Sequence, residues 1–389
     1  ETLMAIFVSN RYLPRRILLL TGCFARAAAE RHSISRLWKQ SSRLISRSIT
    51  QNAGDHGEHY ITRDKKEYWA MFYSAAGGGV LIALMALFKT YLGSIIDDKV
   101  WKGLAEGLNY GFGFMVIFIL HFTVATKQPA MTAARFAEAV EKNPQGKTLN
   151  MKLAQLLVDV FRSQSVAVLG NVVVAMGLAA LIAFVYQHQT GEPLMNSENI
   201  AYQLHRIDPL DGSLWFAAIA GVWLFCSGII SGYFDNRSNY LNMRMRLAQH
   251  PLLKKLMSEK TRVKFANYMH ENYGSLIGNF CFGMLLGLTG LVGYLTHLPL
   301  DIRHVAFSSA NLGYSAVSGQ FAYPFFLQCI AFVLLIGLVN LMVSFSLTLW
   351  VALRSLNTEI DSWWAIWHEV CQIVRKRPLS LFLPVQLDK

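Results

Sequence analysis

Residues 325–353 read FFLQCIAFVLLIGLVNLMVSFSLTLWVAL, 29 positions without Asp, Glu, Lys or Arg. A bilayer core takes about 20 apolar helical residues to cross. The stretch is therefore long enough for a transmembrane helix and too long for an ordinary strand. It closes a longer charge-free run, His304 to Leu353. The part from Phe307 to Gln320 is rich in Ser, Gly, Ala and Asn, which predicts an external loop or a re-entrant segment instead of a further span.

Five more runs upstream lack formal charge: Tyr68–Phe88, Gly107–Thr126, Ser163–Gly191, Gly212–Phe234 and Asn272–Leu300. The reading is an all-α integral membrane protein with six spans, near 68–88, 107–126, 165–187, 213–234, 274–296 and 325–350. It predicts three hairpins, each followed by a cytoplasmic amphipathic helical segment. In this reading no span contains a carboxylate, and each Lys and Arg falls at a boundary or in a loop. Composition agrees, with 53% apolar and 15% charged residues, where soluble domains carry about 25% charged. An ordinary soluble enzyme and a disordered chain are excluded. Five Cys in 389 residues exclude a disulfide-stapled secreted domain.

Orientation follows from where the cations lie. Of 36 Lys and Arg, 31 fall in 1–67, 127–162, 235–271 and 354–389. The segments 89–106, 188–212 and 297–324 hold the other five. Both termini are therefore expected in the cytoplasm of a bacterial inner membrane, and the three sparse segments in the periplasm. The formal charge of +12 is then mostly topological and suits anionic headgroups. Three regions result: 1–66, basic and at the membrane surface; 67–353, the six-span domain; and 354–389, a tail with an interfacial helix built on Trp363, Trp364 and Trp367. In 1–50, Arg36, Lys39, Arg43 and Arg47 make one cationic helix face, and the region reads as continuing an upstream part of a longer chain.

The three cytoplasmic segments after the second, fourth and sixth spans are 36 or 37 residues each. Val168-Leu169-Gly170-Asn171 with Met176 matches Leu276-Ile277-Gly278-Asn279 with Met284 at a constant offset of 108. This predicts a parallel repeat of spanning hairpin plus cytoplasmic hairpin, three times over.

Few polar residues fall at depth: His121, Asn171, Asn279 and Asn340, with Ser344 and Ser346. His121 is the only ionisable ring well inside a predicted span. Gly77-Gly78-Gly79, and Gly274, Gly278, Gly283 and Gly287, are expected to let helices approach closely. Arg63, Arg135, Arg162, Arg237 and Arg354 lie near cytoplasmic span ends as a basic ring for headgroups. Asp55, His56, Glu58 and His59 are ligand types, but Gly54 and Gly57 make the segment a loop. No metal, cofactor or catalytic residue is assigned. Lipids, and a homo-oligomer or larger membrane assembly, are the expected partners; nucleic acid is not.

Gly57-Glu58-His59-Tyr60-Ile61, Arg63-Asp64, Glu67-Tyr68 and Gly77-Gly78-Gly79 resemble the start of the membrane part of a bacterial transmembrane family labelled site-specific recombinase. Thr126-Lys127-Gln128-Pro129-Ala130-Met131, Asn340-Leu341-Met342-Val343-Ser344-Phe345 and Val351-Ala352-Leu353-Arg354 extend the likeness, which runs from about residue 10 to the end. The resemblance implies a Gram-negative source, a further N-terminal portion and, by its label, DNA strand exchange. A tyrosine recombinase often shows His-x-x-Arg; none of the eleven His has Arg three residues on. The Ser-Arg pairs near 33–48 sit on one short basic stretch. Two readings stay open: a non-catalytic scaffold, assembly partner or conduit for lipid or small solute, and a membrane-tethered DNA-handling protein.

Overall fold

The computed structural model describes residues 21–22, 61–62, 64–125, 128–142, 147–356, 360 and 362–384. Arg63, the Asp55–His59 cluster and the cationic face at 36–47 lie outside them. The chain divides into two compact units, Glu1–Ser46 and Arg47–Lys389, and the long apolar helices belong to the second.

The described regular structure of that second unit is all helical. The helices are α1 (Lys65–Ile95), α2 (Lys99–Ile119), α3 (Gln128–Lys142), α4 (Lys147–Thr190), α5 (Ser197–Ile207) and α6 (Ser213–Tyr240). They continue with α7 (Met243–Gln249), α8 (Pro251–Leu256), α9 (Glu259–Thr296), α10 (Val305–Ser318), α11 (Tyr323–Leu356) and α12 (Trp363–Lys376). Five of them are long and apolar enough to cross a membrane: α1, α4 from Leu149 on, α6, α9 and α11. The expected second span falls on α2, which is not among the five. It carries Lys102, Glu106 and Asn109 in 21 residues. Those polar groups are tolerated because α2 is packed against α1 and α9.

Several expected boundaries are corrected. A charge-free run marks where lipid could lie, not where helical hydrogen bonding stops. α1 runs past Phe88 to Ile95, so Lys89 is inside a helix, and Glu106 lies within α2. Glu106, placed just outside the expected second span, is thus inside its helix, and its Oε2 lies 3.0 Å from Lys89 Nζ. α2 ends at Ile119, short of Thr126. His121 sits in the turn beyond it, exposed and at φ 58, so it is not an intrahelical ring. α9 starts at Glu259, well inside a segment expected to be a separate cytoplasmic hairpin. Of the two expectations for Phe307–Gln320, the external loop is overturned, because the stretch falls on the buried helix α10. At about 1.5 Å per residue it spans about 21 Å, too short to cross alone.

The repeat is also corrected, in number and in direction. Asn171 of α4 donates Nδ2 to the carbonyls of Ala75 in α1 (2.5 Å) and Thr123 (2.9 Å), and its Oδ1 accepts from the amide of Ala125 (2.8 Å). Asn340 of α11 donates Nδ2 to the carbonyls of Ala217 in α6 (2.8 Å) and Arg303 (2.9 Å), and its Oδ1 accepts from the amide of Val305 (3.1 Å). The two constellations are the same. A Cβ on Gly79 would meet Asn171 O at 2.8 Å and Val174 Cβ at 3.2 Å. One on Gly221 would meet Asn340 O at 3.1 Å and Val343 Cβ at 2.8 Å. Ala75 and Gly79 map onto Ala217 and Gly221 by one shift of 142, and Asn171 and Val174 onto Asn340 and Val343 by one shift of 169. The units are therefore α1–α2–α3–α4 and α6–α9–α10–α11. Gly103 lies beside Leu291, Gly107 beside Gly287, and Gly111 beside Phe280. α2 and α9 are thus antiparallel, and the two units are inverted copies. Each short helix packs on the last long helix of the other unit, α10 on α4 and α3 on α11. Asn279, which the sequence pairs with Asn171, instead donates to Ser275 O of its own helix (2.7 Å).

Buried apolar clusters hold the units together. Ile82, Phe114, Ala179, Leu224, Phe282, Ala310 and Tyr314 meet where α1, α2, α4, α6, α9 and α10 converge. Phe136, Leu153, Leu349, Ile366 and Val370 join α3, α4, α11 and α12. α12 thus docks by Ile366 and Val370 and leaves Trp364 and Trp367 exposed, while Trp363 stacks on Phe136.

Candidate functional site

A cavity of about 1290 Å³ opens to the surface between the C-terminal ends of α1, α4 and α9, the start of α2, and α5. Lys89 projects from the last turns of α1. The Asp98 carboxylate caps α2, accepting from Val100 and Trp101 N (both 2.9 Å). That start places Glu106 two turns in, against Lys89. Asn196 caps α5 by accepting from Asn199 N (2.8 Å). α5 then presents Tyr202 and Arg206 one turn apart, and Arg206 Nη1 donates to the Tyr202 hydroxyl at 2.6 Å.

Beyond α9 the chain folds back along its own helix, and Asp301 falls between two guanidiniums. Its Oδ2 is 3.3 Å from Arg206 Nη1 and 2.6 Å from Arg303 Nη1. Arg303 also donates Nε to Arg206 O (2.7 Å) and lies over the Phe216 ring. Burial by itself would raise the Asp301 carboxyl, but the two arginines outweigh it and hold the group down at about 2. Burial alone would weaken the Arg206 charge; the Asp301 carboxylate reverses that and raises its pKa. The Arg206 cation in turn lowers the Tyr202 phenol. Lys99 sits over the Tyr294 ring, 4.2 Å from its centroid. Leu84, Phe88, Leu286 and Leu291 give the same space an apolar wall.

All five cations of the sparse segments gather here. Lys89, Lys99, Lys102 and Arg206 line the cavity, and Arg303 is paired with the lining residue Asp301. Sequence counting treats them as a scattered minority. Their signal was their position at or inside the edges of apolar runs, but Lys89 meets Glu106 across 17 positions and Arg206 meets Asp301 across 95.

The expected site residues fall elsewhere. Asn171 and Asn340 each tie together the helices of their own unit. A Cβ on Gly78 would meet Thr123 O at 2.5 Å, and one on Gly278 would meet Ser231 Oγ at 2.6 Å. Cβ atoms on Gly77, Gly283 and Gly287 would meet the Phe122 ring, the Tyr110 backbone and Gly107. Of the basic residues, Arg135 pairs with Glu138 (3.1 Å) and Arg354 lies over Trp350. Arg237 reaches the Tyr233 hydroxyl (3.4 Å). Buried Arg162 pairs with Asp159 (3.0 Å) and donates to Thr62 O (2.5 Å). The sequence reading missed His304, which is 1% exposed and packed among Phe114, Phe282 and Phe307.

Fold and cavity together define an all-α protein of membrane type, with inverted repeats around a charged, partly apolar chamber. The chain belongs to the family described as site-specific recombinase, which matches residues 1–384. No curated protein and no solved structure matches it.

Proposed function

We propose that this chain is a non-catalytic, six-span protein of a bacterial inner membrane, with both termini cytoplasmic, that serves as a conduit for a small charged or zwitterionic solute. The reading rests on one observation: the five cations that the charge rule leaves on the far side converge on one cavity. Ionisable groups held among membrane helices are expensive and mark solute or ion paths by default. Mixed charge beside an apolar wall suits a solute with an ionised head and an organic body. The cavity then opens to the periplasm. The test is a thermal-shift screen of the purified protein with small organic anions and zwitterions. A stabilising compound should lose its effect in Arg206→Ala and should enter proteoliposomes only with the wild-type protein. A screen without any stabilising compound, together with a cavity unreactive to aqueous probes, would sink the reading.

The family description favours a second reading, a DNA-handling protein tethered to the membrane. Strand exchange needs cations converging on one phosphate and a nucleophile in line with the bond. No His-x-x-Arg is present, and the described arginines Arg135, Arg162, Arg237 and Arg354 each have separate neighbours. The deciding assay is trapping of a covalent adduct on a nicked suicide substrate. None is expected; an adduct that maps to one Tyr or Ser, and vanishes on its removal, reverses the choice.

A further inference from the structure

The two inverted units have one design but not one conformation. In the second unit, α6 and α9 are sealed at the end away from the cavity. The Gly274 amide donates to Asp235 Oδ1 (2.9 Å), and Ser231 Oγ donates to Gly274 O (2.8 Å). A Cβ on Gly278 would meet Ser227 O at 3.1 Å, so the helices touch backbone to backbone. In the first unit the shift of 142 that relates α1 to α6 places Gly93 where Asp235 stands. There a Cβ would meet only the far end of Lys102, Nζ at 3.1 Å and Cε at 3.4 Å. That end is open, and Gly93 and Lys102 line the cavity.

The geometry points to an alternating-access carrier: the units exchange conformations, closing the chamber at Lys89 and Arg206 and opening an equivalent one at Asp235 and Gly274. The physical reason is near-degeneracy. Two copies of one fold, each able to take the packing shown by the other, give two states related by the pseudo-twofold axis. The axis runs through the α2–α9 contact, where glycines 107, 111, 283 and 287 leave smooth surfaces for one helix to rock on the other. The inference rests on the conduit reading and narrows it, since a channel or a scaffold needs one state only.

The experiment uses the full chain in liposomes, with the five native Cys replaced. One spin-label pair, at Lys99→Cys and Glu198→Cys, spans the cavity; the other, at Arg237→Cys and Glu271→Cys, spans the sealed end. Two populations are expected in each pair. Bismaleimide cross-linking of the second pair should abolish the closed-cavity population of the first. Asp235→Ala removes one lock and should move the ratio about fivefold towards the open inner end, whereas Asp235→Asn, which keeps an acceptor, should move it less. A single distance for both pairs in wild type and in a folded Asp235→Ala protein overturns the carrier. If solute binding still depends on Arg206 in that case, the conduit reading survives without alternation. If distances alternate but no solute depends on Arg206, the conduit reading fails instead.

Discussion

At the scale of single residues, two asparagines and one aspartate matter most. Asn171 and Asn340 each satisfy three backbone groups, all of them buried except the half-buried Thr123 carbonyl. Leucine is of similar size but bonds none of them, and a buried group left unpaired costs about 1–3 kcal/mol. Asn171→Leu and Asn340→Leu should therefore each lower the melting temperature in detergent, by similar amounts. A loss at one site only would contradict their equivalence. Asp301 makes a pH prediction. Its folded pKa of about 2 lies below the ordinary value of about 3.9. The stability from its ion pairs is complete above about pH 4 and is lost as pH falls towards 2. Asp301→Asn should flatten the melting-temperature profile in that interval and leave its slope near neutrality unchanged. A wild-type slope that survives the substitution would assign it to other carboxylates.

At the scale of elements, the α2–α9 contact depends on the absence of side chains. A Cβ on Gly283 would strike the backbone of Tyr110 and Gly111, which cannot rotate away. Gly283→Ala should cost about 1–3 kcal/mol by overpacking. Gly278→Leu should also destabilise, because Ser231 and Ser227 stand in its place. Gly177, with nothing within 4 Å of a Cβ, is the control: Gly177→Ala should leave the melting temperature unchanged or raise it slightly. Differential scanning fluorimetry on the three variants checks the ranking, and equal losses at Gly177 and Gly283 would count against it. Helix ends belong to this scale too. The edges of charge-free runs misplace α1 and α2 because Lys89 and Glu106 neutralise each other inside the protein.

At the scale of the whole molecule, the orientation proposed from the cation count is open to direct labelling. Glu198, on α5 at the cavity, and Glu259, at the start of α9, are both exposed. A cysteine-free chain carrying Cys at position 198 should react with an impermeant maleimide added outside cells, and one carrying Cys at 259 should react only after lysis. The opposite pattern would invert the topology and place the cavity mouth in the cytoplasm.

The sequence by itself determined the class of the protein and where its long apolar helices lie, because the hydrophobic demand of a bilayer is written locally in uninterrupted runs. Phe325–Leu353 announces its helix without reference to any other residue. Tertiary structure alone decided the rest. The likeness of Asn171 to Asn340 is carried by backbone partners in four other segments, so the Gly-Asn match at 171 and 279 misleads. α10 looks like a loop because Ser, Gly and Ala suit close contact as well as turns, and only its neighbours α4 and α11 make the choice. The cavity was illegible for the same reason. Charge pairing depends on distance in space, and Arg206 meets Asp301 only because the chain after α9 turns back along its own helix.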